Sequence, residues 1–293
     1  MIQGIVLKGY SGFYYVFAQD RVWECSLRGR FRIKTQDFFP GDRVSILPAA
    51  GGKASIEGVE PRRNTLTRPP VVNLDQALLV FARASPKPDF NFLDRLLIQV
   101  SKANIKPIIV VTKIDLLNAD VEEEEEDLFA YYQKIDYEVY RVSNLNGAGI
   151  KQVRDCLRGK TSVLAGQSGV GKSSLLNAVC PDFKLKTGKV SNKLSRGRHT
   201  TRHVELMVCA GGLVADTPGF SSLYLPKIKK EDLAFYFPEF EPYLGRCRFS
   251  SCLHNKEPDC AVKEAVGSKE ISPLRYEDYL LFLQELIIQE RSY

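Results

Sequence analysis

The chain has 293 residues, 44% hydrophobic and 26% charged, close to ordinary globular usage, which excludes a largely disordered or fibrous protein. No stretch reaches the ~20 consecutive apolar residues of a spanning helix, and the opening MIQGIVLKGYSG lacks a basic start followed by an apolar run, so a cytoplasmic protein without a membrane partner is expected. The net charge of +6 is uneven: bases exceed acids by four over residues 1–65 and by seven over 181–230, whereas acids exceed bases by five over the last 63 residues.

Up to about Glu60 the chain carries short β-type runs, GIVLKGYSGFYYVF and VWECSL, broken by glycines and by the turn signal Pro40-Gly41-Asp42. These predict a small antiparallel barrel over 1–65. The proline-rich, basic segment PRRNTLTRPP, Pro61 to Pro70, reads as a connector that resists regular structure. From Val71 the strand-like runs ALLVFA, PIIVVT, VYRVS, SVLAG, VELMVC and LVAD alternate with helical stretches such as FLDRLLIQVSKAN. That alternation predicts a mostly parallel sheet with helices on its faces over 71–225. The acidic run Glu122 to Asp127 predicts the start of an exposed helix. After Pro226 strand patterns stop, and 226–293 reads as helices around a Cys/His cluster, with Tyr276, Tyr279, Leu280, Leu283 and Ile287 forming one apolar face.

Gly166-Gln167-Ser168-Gly169-Val170-Gly171-Lys172-Ser173 matches the phosphate-loop pattern G-x-x-x-x-G-K-[ST] and follows the apolar run SVLA. Its glycines let backbone N–H groups point at phosphate oxygens, at the positive end of the next helix. Lys172 is expected to reach the β and γ phosphates. Ser173 supplies the hydroxyl that such loops use on Mg²⁺; Ser174 follows it, and Leu175 and Leu176 form the buried face of the helix. Asp216-Thr217-Pro218-Gly219 ends a strand-like run, where Asp216 can hold Mg²⁺ through water and the Gly219 N–H can meet the γ-phosphate. Thr112-Lys113-Ile114-Asp115 is similar to the guanine-reading N-K-x-D, with Asp115 as the base-selecting carboxylate; Thr112 in place of Asn removes an amide. Ser143-Asn144 stands where a second base-contacting loop is expected, though such a pair is also ordinary in a turn.

TKID and Ser143-Asn144 precede the phosphate loop, the reverse of the usual GTPase order, so the domain reads as circularly permuted. The Asp216–Gly219 loop then lies near the exit toward the last segment, and γ-phosphate-dependent movement there is expected to reach it. The spacing Cys247-x4-Cys252-x-His254-x5-Cys260 supplies four soft ligands, expected to hold one structural, non-catalytic Zn²⁺ with no open position for water. The remaining cysteines, Cys25, Cys156, Cys180 and Cys209, read as isolated thiols rather than a disulfide framework.

A β-barrel, a permuted GTPase and a Cys3His cluster in this order resemble the RsgA family of small ribosomal subunit biogenesis GTPases, over essentially the whole chain. The resemblance implies three parts: an OB-type barrel, a central α/β circularly permuted P-loop GTPase domain and a C-terminal, mostly helical zinc-binding domain. It also implies GTP hydrolysis stimulated by the 30S subunit, binding to 16S rRNA and a role late in subunit maturation, with Mg²⁺ accompanying GTP or GDP; a monomer is expected. The run 183–204, with seven Lys or Arg and no acid, fits a polyanion partner but also a solvated loop. On the barrel, Tyr14, Tyr15, Phe17, Arg28, Arg30 and Arg32 are candidates for RNA, the aromatics equally for core.

Many GTPases place Gln after the DxxG glycine; here Phe220 stands there, which predicts slow turnover without a partner. Gly197-Arg198-His199-Thr200-Thr201 is the expected second switch. Thr200 or Thr201 is expected to contact Mg²⁺ and the γ-phosphate, and the resemblance makes His199 a candidate for positioning water. Two other readings stay open: an RNA-binding module whose nucleotide site only sets affinity, and a P-loop ATPase should TKID fail to select guanine.

Overall fold

The computed structural model describes residues 1–10, 12–27, 37–67, 70–116, 128–181, 204–216 and 224–291, with no side-chain description at 216 and 291. Five strands, β1 (Ile2–Tyr10), β2 (Phe13–Ala18), β3 (Arg21–Leu27), β4 (Arg43–Pro48) and β5 (Lys53–Val59), close a barrel in the order β1-β2-β3-β5-β4. Alternate residues turn inward, so Val6, Val16, Trp23, Cys25, Val44, Ile46 and Ile56 fill the interior. The barrel is not wholly antiparallel as the sequence suggested, because β3 pairs parallel with β5. At the Pro40–Asp42 turn, buried Asp42 accepts from the Phe39 N–H at 2.7 Å and from Arg62 Nε and Nη2 at 2.8 and 2.9 Å.

The expected structureless connector is instead a short ribbon, β6 (Thr65–Thr67) paired antiparallel with β7 (Pro70–Val72). Local side-chain chemistry overrides the prolines. Asn64 bonds both the N–H and the carbonyl of Leu74 at 2.8 Å, and Asn73 Oδ1 accepts from the Arg63 N–H at 2.8 Å. Asn73 Nδ2 donates to the Gly41 carbonyl at 2.9 Å, which ties the ribbon to the barrel turn.

Strands β8 (Gln76–Ala82), β9 (Lys106–Thr112), β10 (Glu138–Arg141), β11 (Thr161–Ala165), β12 (Leu206–Cys209) and β13 (Gly212–Asp216) form one sheet ordered β10-β9-β8-β11-β13-β12. β8 to β9, β8 to β11 and β11 to β13 are parallel, and edge strand β12 is antiparallel to β13. The helices are α1 (Phe90–Lys102), α2 (Leu128–Lys134), α3 (Ile150–Leu157), α4 (Lys172–Val179), α5 (Ala261–Gly267) and α6 (Pro273–Arg291). Leu78, Val80, Ile108, Val110, Leu164 and Val214 of the sheet share a core with Val153 and Leu157 of α3 and Leu175, Leu176 and Val179 of α4. The acidic run Glu122 to Asp127 lies outside the described residues.

Packing divides the chain into two compact units. The first holds Met1–Pro88, Ala103–Asn118 and Tyr140–Ser221; the second holds Asp89–Lys102, Ala119–Val139 and Ser222–Tyr293. The second is built on 3₁₀ turns at Lys230–Tyr236 and Pro238–Tyr243 and on α6, whose Tyr279 and Leu283 are buried as the stripe predicted, joined by Phe282 and Leu286. Helices α1 and α2 fall in this unit despite lying between sheet strands in sequence, and Ile98 of α1 enters its aromatic core.

At the centre of that unit Arg275 is buried with two carboxylates. Its Nε and Nη2 donate to Glu239 at 2.6 and 3.0 Å, and Nη1 donates to Asp94, which also accepts from the Tyr132 hydroxyl at 2.5 Å. Burial pushes the Asp94 carboxyl up to about 7, with the Arg275 charge and the Tyr132 hydrogen bond opposing it. Removing the cation leaves buried carboxylates without a counterion. Arg275→Met should therefore destabilise this unit by about 3–5 kcal/mol, read from chemical denaturation of the full chain, and Arg275→Lys should not restore it, because a point ammonium lacks the fork that meets Glu239.

Candidate nucleotide site and metal cluster

β11 ends at Ala165 and α4 begins at Lys172, so Gly166–Gly171 is the whole turn between them. Gly166 has φ 141°, and a Cβ there would stand 2.1 Å from the Val80 carbonyl of β8, so only glycine lets the loop leave the sheet at this point. Gly171, at φ 98°, is the residue before the first helical turn, and its carbonyl accepts from the Leu175 N–H at 2.8 Å. Ser168 and Gly169 are exposed at the tip, Gln167 and Ser173 half-buried and Val170 buried. The Lys172 ammonium arches over the loop and donates to the Gly166 and Gln167 carbonyls, both at 2.7 Å.

The TKID segment braces this loop. Thr112 closes β9, is fully buried, and lies with Oγ1 2.5 Å from the Val170 carbonyl and 3.1 Å from that of Phe81. In sequence Thr112 offers only the loss of an amide; in the structure it is a tether between the end of β9 and the phosphate loop. The Lys113 ammonium donates to the Gly169 carbonyl at 2.8 Å and to that of Ser85. Ile114 and Asp115 lie in a 3₁₀ turn, where Asp115 accepts from the Ser143 hydroxyl. Ser143 is buried, and its Oγ also receives the N–H groups of Leu145 and Asn146 at 3.2 and 3.3 Å. Beside it, Asn144 Nδ2 lies 3.6 Å from the point a Gly171 Cβ would occupy, and the buried Asn144 Oδ1 has no hydrogen-bond partner.

Three segments distant in sequence, 112–115, 143–144 and 166–173, thus come together at the C-terminal edge of the sheet. Asp216 ends β13 opposite Leu164 in the parallel ladder, which carries its backbone to the same edge. Thr217 to Gly219, Phe220, His199, Thr200 and Thr201 lie outside the described residues.

The second unit holds the cysteine cluster. The ligand atoms of Cys247, Cys252, His254 and Cys260 all lie within 4.8 Å of one another. Cys247 Sγ is 3.8 Å from Cys260 Sγ, and both are 3.5 Å from His254 Nδ1. A tetrahedral ion with bonds of about 2.3 Å to sulfur and 2.0–2.1 Å to nitrogen requires ligand separations of about 3.8 and 3.5 Å. The cluster therefore fits such a metal. Two supports were not evident in the sequence: Tyr276 and Tyr279 donate to the His254 and Leu253 carbonyls at 2.7 and 2.8 Å, and Glu257 accepts from the Leu253 and Asn255 N–H groups at 3.0 and 2.9 Å. The helical stripe had marked both tyrosines as core only.

The RsgA GTPase family model matches residues 59–226, and that of the RsgA N-terminal domain matches residues 3–56. The small ribosomal subunit biogenesis GTPase RsgA of Moorella thermoacetica is 50% identical over all of both chains. The chain belongs to the RsgA family of GTPases. The family's protein of the same name from Geobacillus thermodenitrificans is 47% identical over 98% of each chain. Two solved structures share the fold: YjeQ from Thermotoga maritima, with TM-score 0.81 at 36% identity over 98% of each chain, and YloQ, titled a circularly permuted GTPase, with TM-score 0.83 at 39% identity over 99% of this chain and 96% of its own. Membership in the RsgA family makes the chain a GTP hydrolase whose nucleotide is accompanied by Mg²⁺. The barrel, the permuted GTPase core and the helical Cys/His region expected from the sequence are all present. Among the described residues no helix is long and apolar enough to cross a membrane.

Two outcomes follow from the site geometry. Gly166→Ala places a methyl group against the Val80 carbonyl, so nucleotide affinity should fall at least about tenfold, ~1.4 kcal/mol, measured by titration with fluorescent GDP. Burial pushes the Cys252 thiol up to about 12 and holds His254 below its ordinary value, so loading the cluster must expel thiol protons while the imidazole is already neutral. Metal affinity should rise by about tenfold per pH unit for each proton displaced, measured by competition with a chromophoric chelator.

Proposed function

We propose that this GTPase acts on the 30S ribosomal subunit late in its maturation, binding 16S rRNA and hydrolysing GTP to GDP and phosphate with turnover that the subunit stimulates. The observation carrying this is end-to-end similarity to small ribosomal subunit biogenesis GTPases, barrel and C-terminal segment included. A nucleotide switch alone would need neither. The basic surplus over 1–65 and 181–230 suits a phosphate backbone, and we assign the protein to the cytoplasm as a monomer.

In functional terms we divide the chain into an OB-type barrel at 1–65, a GTPase domain at 71–225 and a zinc-binding domain at 226–293. At the nucleotide, Asp115 pairs with guanine N–H groups, held for that task by Ser143, while the unpaired Asn144 Oδ1 is an acceptor left for a ligand donor. Backbone N–H groups of Gly166 to Ser174 surround the phosphates, and Lys172 exchanges its two carbonyl partners for phosphate oxygens. Ser173 and Asp216 are the residues that would hold Mg²⁺, which neutralises charge developing on the phosphates. Thr200 or Thr201 closes on the γ-phosphate with the Gly219 N–H, and His199 positions water, a task Phe220 cannot perform. Zinc is the metal we assign to Cys247, Cys252, His254 and Cys260, on the thiolate-rich donor set and the tetrahedral separations.

The decisive measurement is GTP hydrolysis by the purified protein alone and with isolated 30S subunits, with 50S subunits and ATP as controls. Acceleration by 30S alone, at least about tenfold, is the expected result; equal rates in all mixtures would leave a GTPase with another partner. His199→Ala should lose most of that acceleration and keep GTP affinity, whereas Asp115→Asn should lose discrimination between guanine and xanthine nucleotides.

A further inference from the structure

Cys180 and Cys209, expected from the sequence to be isolated thiols, are instead joined in a disulfide across 29 positions, with Cα atoms 5.7 Å apart. That separation lies in the middle of the range a disulfide tolerates. Cys180 directly follows α4, its N–H bonded to the Leu176 carbonyl at 2.8 Å, and Cys209 ends β12 in register with Gly212 of β13. Both side chains sit in the core that packs α4 on the sheet.

The position of this pair bears on the nucleotide. α4 begins at Lys172 of the phosphate loop, and β13, the ladder partner of β12, ends at Asp216. The chain between the two cysteines contains the whole basic run and His199, Thr200 and Thr201. At the other end of β12, Glu205 pairs with Lys8 of the barrel at 2.7 Å, an exposed contact of small value. Without the disulfide, β12 is a four-residue strand that among the described residues pairs only with β13, an element that opens locally at low cost. With it, the strand cannot leave the end of α4.

We infer that Cys180 and Cys209 are a reversible thiol–disulfide site whose oxidation slows nucleotide exchange at the phosphate loop. The neighbouring chemistry argues for reversibility: a Cys3His metal cluster in the same chain needs free thiolates, which implies a reducing compartment, where a disulfide is transient or sensing rather than permanent. The oxidant is a low-molecular-weight disulfide of the glutathione class. One cysteine thiolate attacks it, forming a mixed disulfide and releasing one small thiolate. The second cysteine thiolate then attacks the protein sulfur of that intermediate, expels the other small thiolate and closes the Cys180–Cys209 bond. Two electrons pass to the small disulfide, and the two cysteine protons end on the two small thiols. Opening of β12 exposes the otherwise buried sulfurs to the reagent and, in the reduced protein, also lets bound nucleotide escape; the cross-link suppresses that opening.

The test uses the metal-loaded full-length protein equilibrated in glutathione buffers of graded redox ratio, then alkylated and mapped by mass spectrometry, with metal content followed in each sample. Release of fluorescent GDP is measured on the same samples. The cross-linked peptide should appear and vanish reversibly with the glutathione ratio, and the oxidised form should release GDP about threefold or more slowly. Cys180→Ala, and separately Cys209→Ser should the first variant fold poorly, should release GDP at the reduced protein's rate under every ratio. A bond that glutathione cannot reduce, or equal release rates in both states, would make it a structural staple and overturn the inference. Redox dependence surviving in both variants would assign the effect to the metal cluster instead and overturn it equally.

Discussion

A parallel ladder puts the C-terminal ends of its strands on one edge, and in this protein that edge is where the chemistry collects. β9, β8, β11 and β13 run the same way, so Thr112 at the end of β9, the phosphate loop after β11 and Asp216 at the end of β13 emerge side by side. The order of strands along the chain is immaterial to this convergence, which is why a permuted sequence builds the same site as an unpermuted one. β12 runs antiparallel to β13, so its first residue, Leu206, lies opposite Ala215 beside that edge and its last, Cys209, opposite Gly212 at the far one.

Within that edge the tightest constraint is the approach of the phosphate loop to β8. A Gly166 Cβ would stand 2.1 Å from the Val80 carbonyl, so the loop rests directly on the backbone of the central strand. Thr112 and Lys113 then pin Val170 and Gly169 from the end of β9. The loop is thus held through its carbonyls, by Thr112 and Lys113 from the end of β9 and by its own Lys172. The phosphate loop and the TKID segment therefore share one hydrogen-bonded scaffold.

The second unit solves a different problem. Its region after residue 226 has no described strands, and its core is an aromatic group, Phe237, Phe240, Tyr279 and Phe282, wrapped by 3₁₀ turns and α6. Buried charge at Arg275, Asp94 and Glu239 joins residues from α1, α6 and the turn at Pro238–Tyr243. The Cys/His cluster gathers the loop from Cys247 to Cys260, and Tyr276 and Tyr279 fasten its carbonyls to the same helix. The helix face that shields the aromatic core therefore also orients the metal loop.

By itself the sequence determined everything that depends on local chemistry or on strict spacing. GQSGVGKS has glycine at the steric bottleneck, TKID and Ser143-Asn144 end strand-like runs, and the Cys/His spacing names its own ligands. Only the tertiary structure decided what depends on neighbours remote in sequence. The hydroxyl of Thr112 tethers the loop because Val170 is brought within 2.5 Å. Pro61 to Pro70 contributes to a ribbon because Asn64 and Asn73 find partners across it. Cys180 and Cys209 meet because α4 and β12 pack in one core. A periodic pattern or a motif reports the partner a residue has within a few positions; contacts across tens of positions arise from sheet order and helix packing, which no local signal encodes.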